Sequence, residues 1–150
     1  MNRLSIAPAR AADTPGLYAL FNAARAHSGH FPPHTHSIDE FRAVTEGERI
    51  LVARRGHTLA GFAAIWVPDA FLHHLFIAPE LQRQGIGRQL LDATLARFGA
   101  PMTLKCITTN TPARRFYEAT GWQARETAMG PDGPYVLYAR EIDPESTLDR

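Results

Sequence analysis

The stretch from Phe71 to Phe98, FLHHLFIAPELQRQGIGRQLLDATLARF, restricts the fold more than any other part of the chain. It opens as an apolar run (Phe71, Leu72, Leu75, Phe76, Ile77) with the residue chemistry of a strand. Pro79 stops that run, because proline cannot continue a central ladder. It closes as a helix, since Ile86, Leu90, Leu91, Thr94, Leu95 and Phe98 recur at helical spacing with Gln, Arg and Asp between them. The connection is Gln82-Arg83-Gln84-Gly85-Ile86-Gly87, whose glycines permit unusual dihedrals and a close approach of ligand to backbone. A helix starting there offers unpaired N–H groups and a positive dipole end to an anion such as a pyrophosphate. A tight turn with close helix–strand packing is the plainer reading of the same glycines.

Two familiar phosphate loops do not fit. Arg88 and Gln89 follow the second glycine where a P-loop needs lysine and a hydroxyl. Leu90 fills the third-glycine slot of a dinucleotide fingerprint, and Lys105 and Cys106 fall where its acid belongs.

The bend, preceded by Ile77-Ala78-Pro79, resembles the acyl-CoA-binding motif of the GNAT superfamily of N-acetyltransferases, Gln/Arg-x-x-Gly-x-Gly/Ala. A second segment, Asn110-Thr111-Pro112-Ala113-Arg114-Arg115-Phe116-Tyr117-Glu118-Ala119-Thr120-Gly121-Trp122, resembles that family's Asn-x-x-Ala-x-x-Phe-Tyr-x-x-x-Gly-Phe, with Trp122 in place of the final Phe. The resemblance is strong from Leu51 to Tyr138 and fades before it.

The rest of the chain reads as short elements. Leu4-Ser5-Ile6 alternates as a strand, and Asp13 is placed to cap a helix with Pro15 in its first turn and Leu17, Leu20 and Phe21 inward. His27 to His36, broken by Gly29, Pro32 and Pro33, reads as a loop. Ser37 caps a short helix bearing Phe41 and Val44, closed by Gly47. Residues 50–54 and 59–67 form a hairpin around Gly56, and 102–108 a central strand. Thr111 as N-cap and Pro112 at the first helical position begin a helix that Gly121 ends, and 123–129 pairs with 135–142. Strands, hairpins and helices in the order β α α β β β α β α β β predict an α+β fold rather than a doubly wound one. The resemblance implies a single mixed, splayed β-sheet flanked by helices. One domain over residues 1–142 and a frayed tail over 143–150 are expected.

Composition excludes several classes. A formal charge of +1 gives no general field for nucleic acid or an anionic membrane. There is no run of about 18 apolar residues and no apolar leader, so the cytoplasm is the expected compartment. A single cysteine, Cys106, permits no internal disulfide, and its apolar setting suits a buried side chain better than a nucleophile.

What the resemblance implies about function is specific. Acetyl-CoA is the co-substrate, held at its phosphates by Gln82, Arg83, Gln84, Gly85, Ile86, Gly87 and Arg88, and along its pantetheine arm by the main chain of Leu75, Phe76 and Ile77. Asn110 and Phe116 complete the cofactor side, and Tyr117 donates the proton to the leaving thiolate. Arg83 and Arg88 are otherwise a solvated helix face, Asn110 a turn residue and Tyr117 a core aromatic. Attack requires a neutral amine, so a base is needed. His73 and His74 are the candidates, and strand alternation predicts that they point to opposite faces, His73 with Leu75 and Ile77. Glu40, Glu46, Asp69 and Glu118 are reserves. His27, His30, His34 and His36 lack a fixed zinc spacing, so no metal is expected. That loop, Phe31 and the helix after it are expected to wall the acceptor site, with Trp66, Phe71 and Tyr135 hinting at an apolar acceptor. The acceptor is a primary amine, small molecule or peptide; homodimers are common in the family. A silent acyl-CoA-binding or sensor domain is the alternative.

Overall fold

Each apolar run bounded by Gly or Pro becomes a strand in the computed structural model, which describes residues 3–142. The strands are β1 (Leu4–Pro8), β2 (Arg49–Arg55), β3 (Thr58–Trp66), β4 (Phe71–Ile77), β5 (Met102–Ile107), β6 (Gln123–Gly130) and β7 (Gly133–Arg140). The helices are α1 (Thr14–Ser28), α2 (Ile38–Thr45), α3 (Ile86–Phe98) and α4 (Thr111–Ala119), in the expected order. The expected tail over 143–150 lies outside the described residues. No helix among those described is long and apolar enough to cross a membrane.

The seven strands form one sheet in the order β1-β2-β3-β4-β5-β7-β6. Every pairing is antiparallel except β4 with β5, so the sheet is mixed. The parallel pair joins only Phe71 to Thr103 and Leu72 to Leu104, after which the strands part. This is the expected splay.

Alternation sorts side chains to two faces. Leu72, Leu75, Ile77, Leu104 and Cys106 pack with Ile86, Leu90 and Leu91 of α3 and Phe116 and Tyr117 of α4. Phe62 and Phe76 pack on the other face with Leu17, Leu20 and Phe21 of α1 and Phe41 of α2.

One irregularity breaks the alternation. Ala64 pairs with His74 and Ile65 with Leu72, leaving His73 as an extra residue, a β-bulge. The expectation of opposite faces is therefore wrong. The imidazoles of His73 and His74 stack with centroids 3.8 Å apart and planes at 28°. Both lie on the α1/α2 side, where His74 meets Phe21 edge-on at 5.4 Å. Leu75 and Ile77 belong to the opposite face, so the grouping of His73 with them also fails.

Three cap assignments have distinct outcomes. Ser37 forms the expected capping box with Glu40. Asp13 occupies the N-cap position of α1 but does not cap with its side chain. Its buried carboxylate accepts from the Arg10 amide at 2.8 Å and pairs with Arg54 at 2.5 Å, a use that no local pattern announces. The cap of α4 is Asn110, not Thr111: Asn110 Oδ1 accepts from the Ala113 amide at 3.3 Å. A carboxamide reaches the third helical N–H as readily as a hydroxyl does, and Pro112 fits one position later.

Gly61 faces Ile77, and a Cβ there would lie 2.8 Å from the Phe76 carbonyl oxygen and 2.7 Å from Ile77 Cδ1. Because backbone cannot give way cheaply, Gly61→Ala is expected to cost about 1–3 kcal/mol. A thermal melt is the check, and an unchanged midpoint contradicts the packing. His74 supplies a pH signature. Burial, with the neighbouring His73 adding to it, pulls its pKa down to about 3. Between that value and the ordinary 6.5, the unfolded chain holds a proton on His74 that the folded chain refuses. Stability is thus complete above about pH 6.5 and falls as pH drops below it, by up to about 1.4 kcal/mol per pH unit from this group. Melts from pH 7.5 to 5 should show the decline, with a shallower slope in His74→Leu.

Candidate active site

Where β4 leaves β5, a cleft of about 1020 Å³ opens through the sheet, lined by β4, β5, the 82–88 bend, α4 and the end of α1. Beyond Leu72 the β5-facing edge of β4 has no strand partner. Such an edge offers backbone N–H and C=O groups to an extended ligand, as an added strand would use them. Leu75, Phe76 and Ile77 all line the cleft at that edge.

The bend closes one end. Arg83 (φ 65°) and Gly85 (φ 79°) are both left-handed, and Gly85 is the N-cap of α3 with no side-chain cap bond. Nothing lies within 4 Å of a Cβ built on Gly85, so its glycine is required by dihedral and not by crowding. The uncapped first turn of α3 is thus open. Gln82, Arg83, Gly85, Ile86, Gly87 and Arg88 line the cleft. Gln84 turns away, its Oε1 accepting from Arg55 Nη1 at 2.6 Å. A Cβ built on Gly87 would meet Ile77 and Phe116 at 3.7 Å, so bend, strand and α4 converge at this residue.

On the α3/α4 side, Asn110, Phe116 and Tyr117 border the gap. With its oxygen committed to the cap, Asn110 has its Nδ2 group left for a ligand. Tyr117 packs against Phe116, Trp122 and Tyr138. Burial, and to a lesser degree Cys106, pushes its phenol well above the ordinary range, so the proton stays on. Cys106 is itself buried, and its thiol is raised to about 11 by that burial, so it carries no thiolate near neutrality.

On the α1/α2 side stands a pairing that sequence reasoning missed. Glu48, just before β2, is only 4% exposed at its side chain, and its Oε2 lies 2.7 Å from His73 Nδ1. The other oxygen is buried without a hydrogen bond and lies 3.9 Å from His74 Nε2. His73 is 39% exposed at its side chain and lines the cleft, so its second nitrogen is reachable. Glu48 sits two strands from His73, and only the registers of β2, β3 and β4 together with the bulge bring them into contact. No spacing in the sequence signals it. Glu48, His73 and His74 also form the one group among the described residues with three donor atoms close enough for a metal, within 4.8 Å of one another.

The reserve acids are elsewhere. Glu118 accepts from the Tyr138 hydroxyl at 2.5 Å, Glu40 is spent on its capping box and on His34, and neither Glu46 nor Asp69 lines the cleft. His27 and Ser28 prove to be the last turn of α1, and together with His30 and Phe31 they wall the cleft as expected of that segment. The helix after them, α2, does not; it covers Phe21 and Phe62 instead. Phe71 and Tyr135 line the cleft, whereas Trp66 stands outside it, packed against Gly47.

Comparison with known proteins agrees with this geometry. No curated protein matches the sequence. A GCN5-related N-acetyltransferase from Rhodopseudomonas palustris superposes with a TM-score of 0.78 at 19% identity, over 95% of this chain and 98% of its own. The Salmonella typhimurium protein yncA, solved with acetyl-CoA, gives 0.73 at 18% identity, over 95% and 96%. The ribosomal-protein alanine N-acetyltransferase of Escherichia coli gives 0.71 at 21%, over 94% and 95%. Residues 15–122 match the model of the acetyltransferase (GNAT) family. This chain therefore belongs to the GNAT family of acetyltransferases, for which acetyl-CoA is the co-substrate.

Proposed function

We propose that this protein transfers the acetyl group of acetyl-CoA directly to a primary amine, with both substrates bound in the cleft. The observation that carries this reading is the placement of proton-handling groups on opposite faces of one gap. Tyr117 borders it from the α4 side and the Glu48–His73 pair from the α1/α2 side.

The residues present suit acetyl-CoA: an uncapped, open helix start for a diphosphate, two arginines beside it, and an unpaired strand edge for pantetheine amides. Acetyl-CoA supplies the acetyl group as a thioester. The N–H groups of Gly85 to Arg88, with Arg83 and Arg88, hold the phosphates. The main chain of Leu75, Phe76 and Ile77 holds the arm, and one of its amides polarises the thioester carbonyl. Asn110 contacts the arm from across the gap, and Phe116 packs behind it. His73 accepts the amine proton at its outward nitrogen, while Glu48, 2.7 Å from Nδ1, fixes the ring. Tyr117, held neutral by burial, donates to the sulfur as the C–S bond breaks. The protonated thiol of Cys106 supports direct transfer over an acetyl-enzyme.

Free-thiol release from acetyl-CoA across a panel of amines tests the activity. Tyr117→Phe should lower kcat about a hundredfold with acetyl-CoA affinity unchanged. Glu48→Gln keeps the shape and loses the charge; it should lower kcat about tenfold or more. Acetyl-CoA binding without thiol release from any amine overturns the transferase reading in favour of a silent acyl-CoA-binding domain. A Gly85→Val variant, forced into a dihedral valine avoids, should weaken acetyl-CoA binding about tenfold, measured by calorimetry.

A further inference from the structure

The α1/α2 mouth of the cleft contains a cation the transfer chemistry above does not use. Arg25, in the last turn of α1, is 10% exposed at its side chain, and its Nε is buried without a partner. A guanidinium so far from water needs an anion. Its one carboxylate neighbour among the described residues is Asp132, with Nη2 to Oδ1 at 3.7 Å. That is well beyond the roughly 2.7–2.9 Å of a charge-assisted hydrogen bond. Asp132 rides on the β6–β7 turn with its side chain 44% exposed, so a loosely held carboxylate already occupies this place. Burial draws the Arg25 pKa down and Asp132 draws it back, the behaviour of a cation short of counter-charge.

The guanidinium carbon lies 4.1 Å from the centroid of Phe31 and 5.3 Å from that of Phe21, so two aromatic rings pack against the guanidinium and its N–H groups are the part that can meet an anion. Phe31 in turn packs near Phe76 of β4, and Arg25 lines the same cleft as His73. The field has the same sign. Asp132 is the only carboxylate lining the cleft among the described residues. Lys105 lies over Tyr135 at 4.8 Å and Phe71 at 5.7 Å and makes no ion pair with the described residues. A polycationic acceptor meets repulsion here, and a carboxylate meets attraction.

We propose that Arg25 docks a carboxylate carried by the acceptor, so that the acceptor is an amine and an acid in one molecule: a free amino acid or a related aminocarboxylate with an apolar or aromatic side chain. The assignment rests on the acetyl-transfer reading for its meaning as an acceptor subsite. In the bound state the acceptor's carboxylate takes the Arg25 edge from Asp132, and Lys105 reinforces it.

Two measurements on the full chain separate this proposal from that reading. Calorimetry of a panel of free amino acids against their carboxamides, without acetyl-CoA, reads the subsite alone. The best acid should bind about tenfold tighter than its amide, and Arg25→Gln should abolish the difference. Arg25→Lys retains the charge without the fork and should recover only part of it. Asp132→Asn, on a half-exposed turn and checked for folding by a thermal melt, should tighten acid binding about threefold or more by removing the competitor. Thiol release with the same panel reads the acceptor role, where Arg25→Gln should raise KM for the acid at least severalfold more than it raises KM for the amide. Acid-selective, Arg25-dependent binding without thiol release overturns the transferase reading and leaves the subsite standing. Thiol release in which amides, polyamines or peptide N-termini equal or surpass acids overturns the subsite. So does an absence of acid-selective binding, or an Asp132→Asn variant that binds acids more weakly.

Discussion

One extra residue in β4 governs the site. Phe71 and Leu72 pair with β5, His73 is bulged, and after it β4 and β5 no longer meet. A bulge bends its strand and increases the local twist, so β4 swings away at the residue where the ladder to β5 ends. The same insertion shifts the side-chain alternation by one position, which is why two adjacent histidines stack on one face. The stacked histidines and the end of the β4–β5 ladder thus meet at one residue, and a regular strand of the same sequence would point one imidazole toward α3.

The gap then divides the chemistry between two environments. The α3/α4 side is dry and aromatic, and the phenol of Tyr117 is kept protonated there. The α1/α2 side carries the polar groups. Burying Glu48 at 4% exposure is costly for a carboxylate, and a single short bond to His73 offsets only part of that cost. Its second oxygen stays unsatisfied beside a histidine that burial keeps neutral. A group held at such expense next to a reachable imidazole is better explained by its effect on that imidazole than by stability.

How much of this was legible in the chain follows from where each feature is encoded. The glycine bend and the start of α3 were readable because local dihedral demands at Gly85 and local periodicity from Ile86 onward are written in consecutive residues. Ser37 was readable for the same reason. The bulge was not: Phe71 to Ile77 looks like an uninterrupted strand, and the slip is decided by pairing against Ala64 and Ile65. Glu48 was invisible because its partner is set by the registers of three strands, and Asp13 because Arg54 reaches it from β2. The Asn110 cap shows a subtler limit, since Asn-Thr-Pro offers two chemically valid caps and the sequence does not rank them.

The cationic mouth has a consequence for the base. An alkylamine with a pKa of about 10 arrives as an ammonium ion, and an ordinary histidine, near 6.5, is a weak partner for it. Arg25 and Lys105 act on the acceptor side of that mismatch. Like charge nearby disfavours the ammonium form and lowers the acceptor's pKa, while a carboxylate on the same molecule holds it in place against the repulsion. An acceptor with only an amine would be driven out by the field that activates it. An aminocarboxylate is retained by one end and deprotonated more easily at the other.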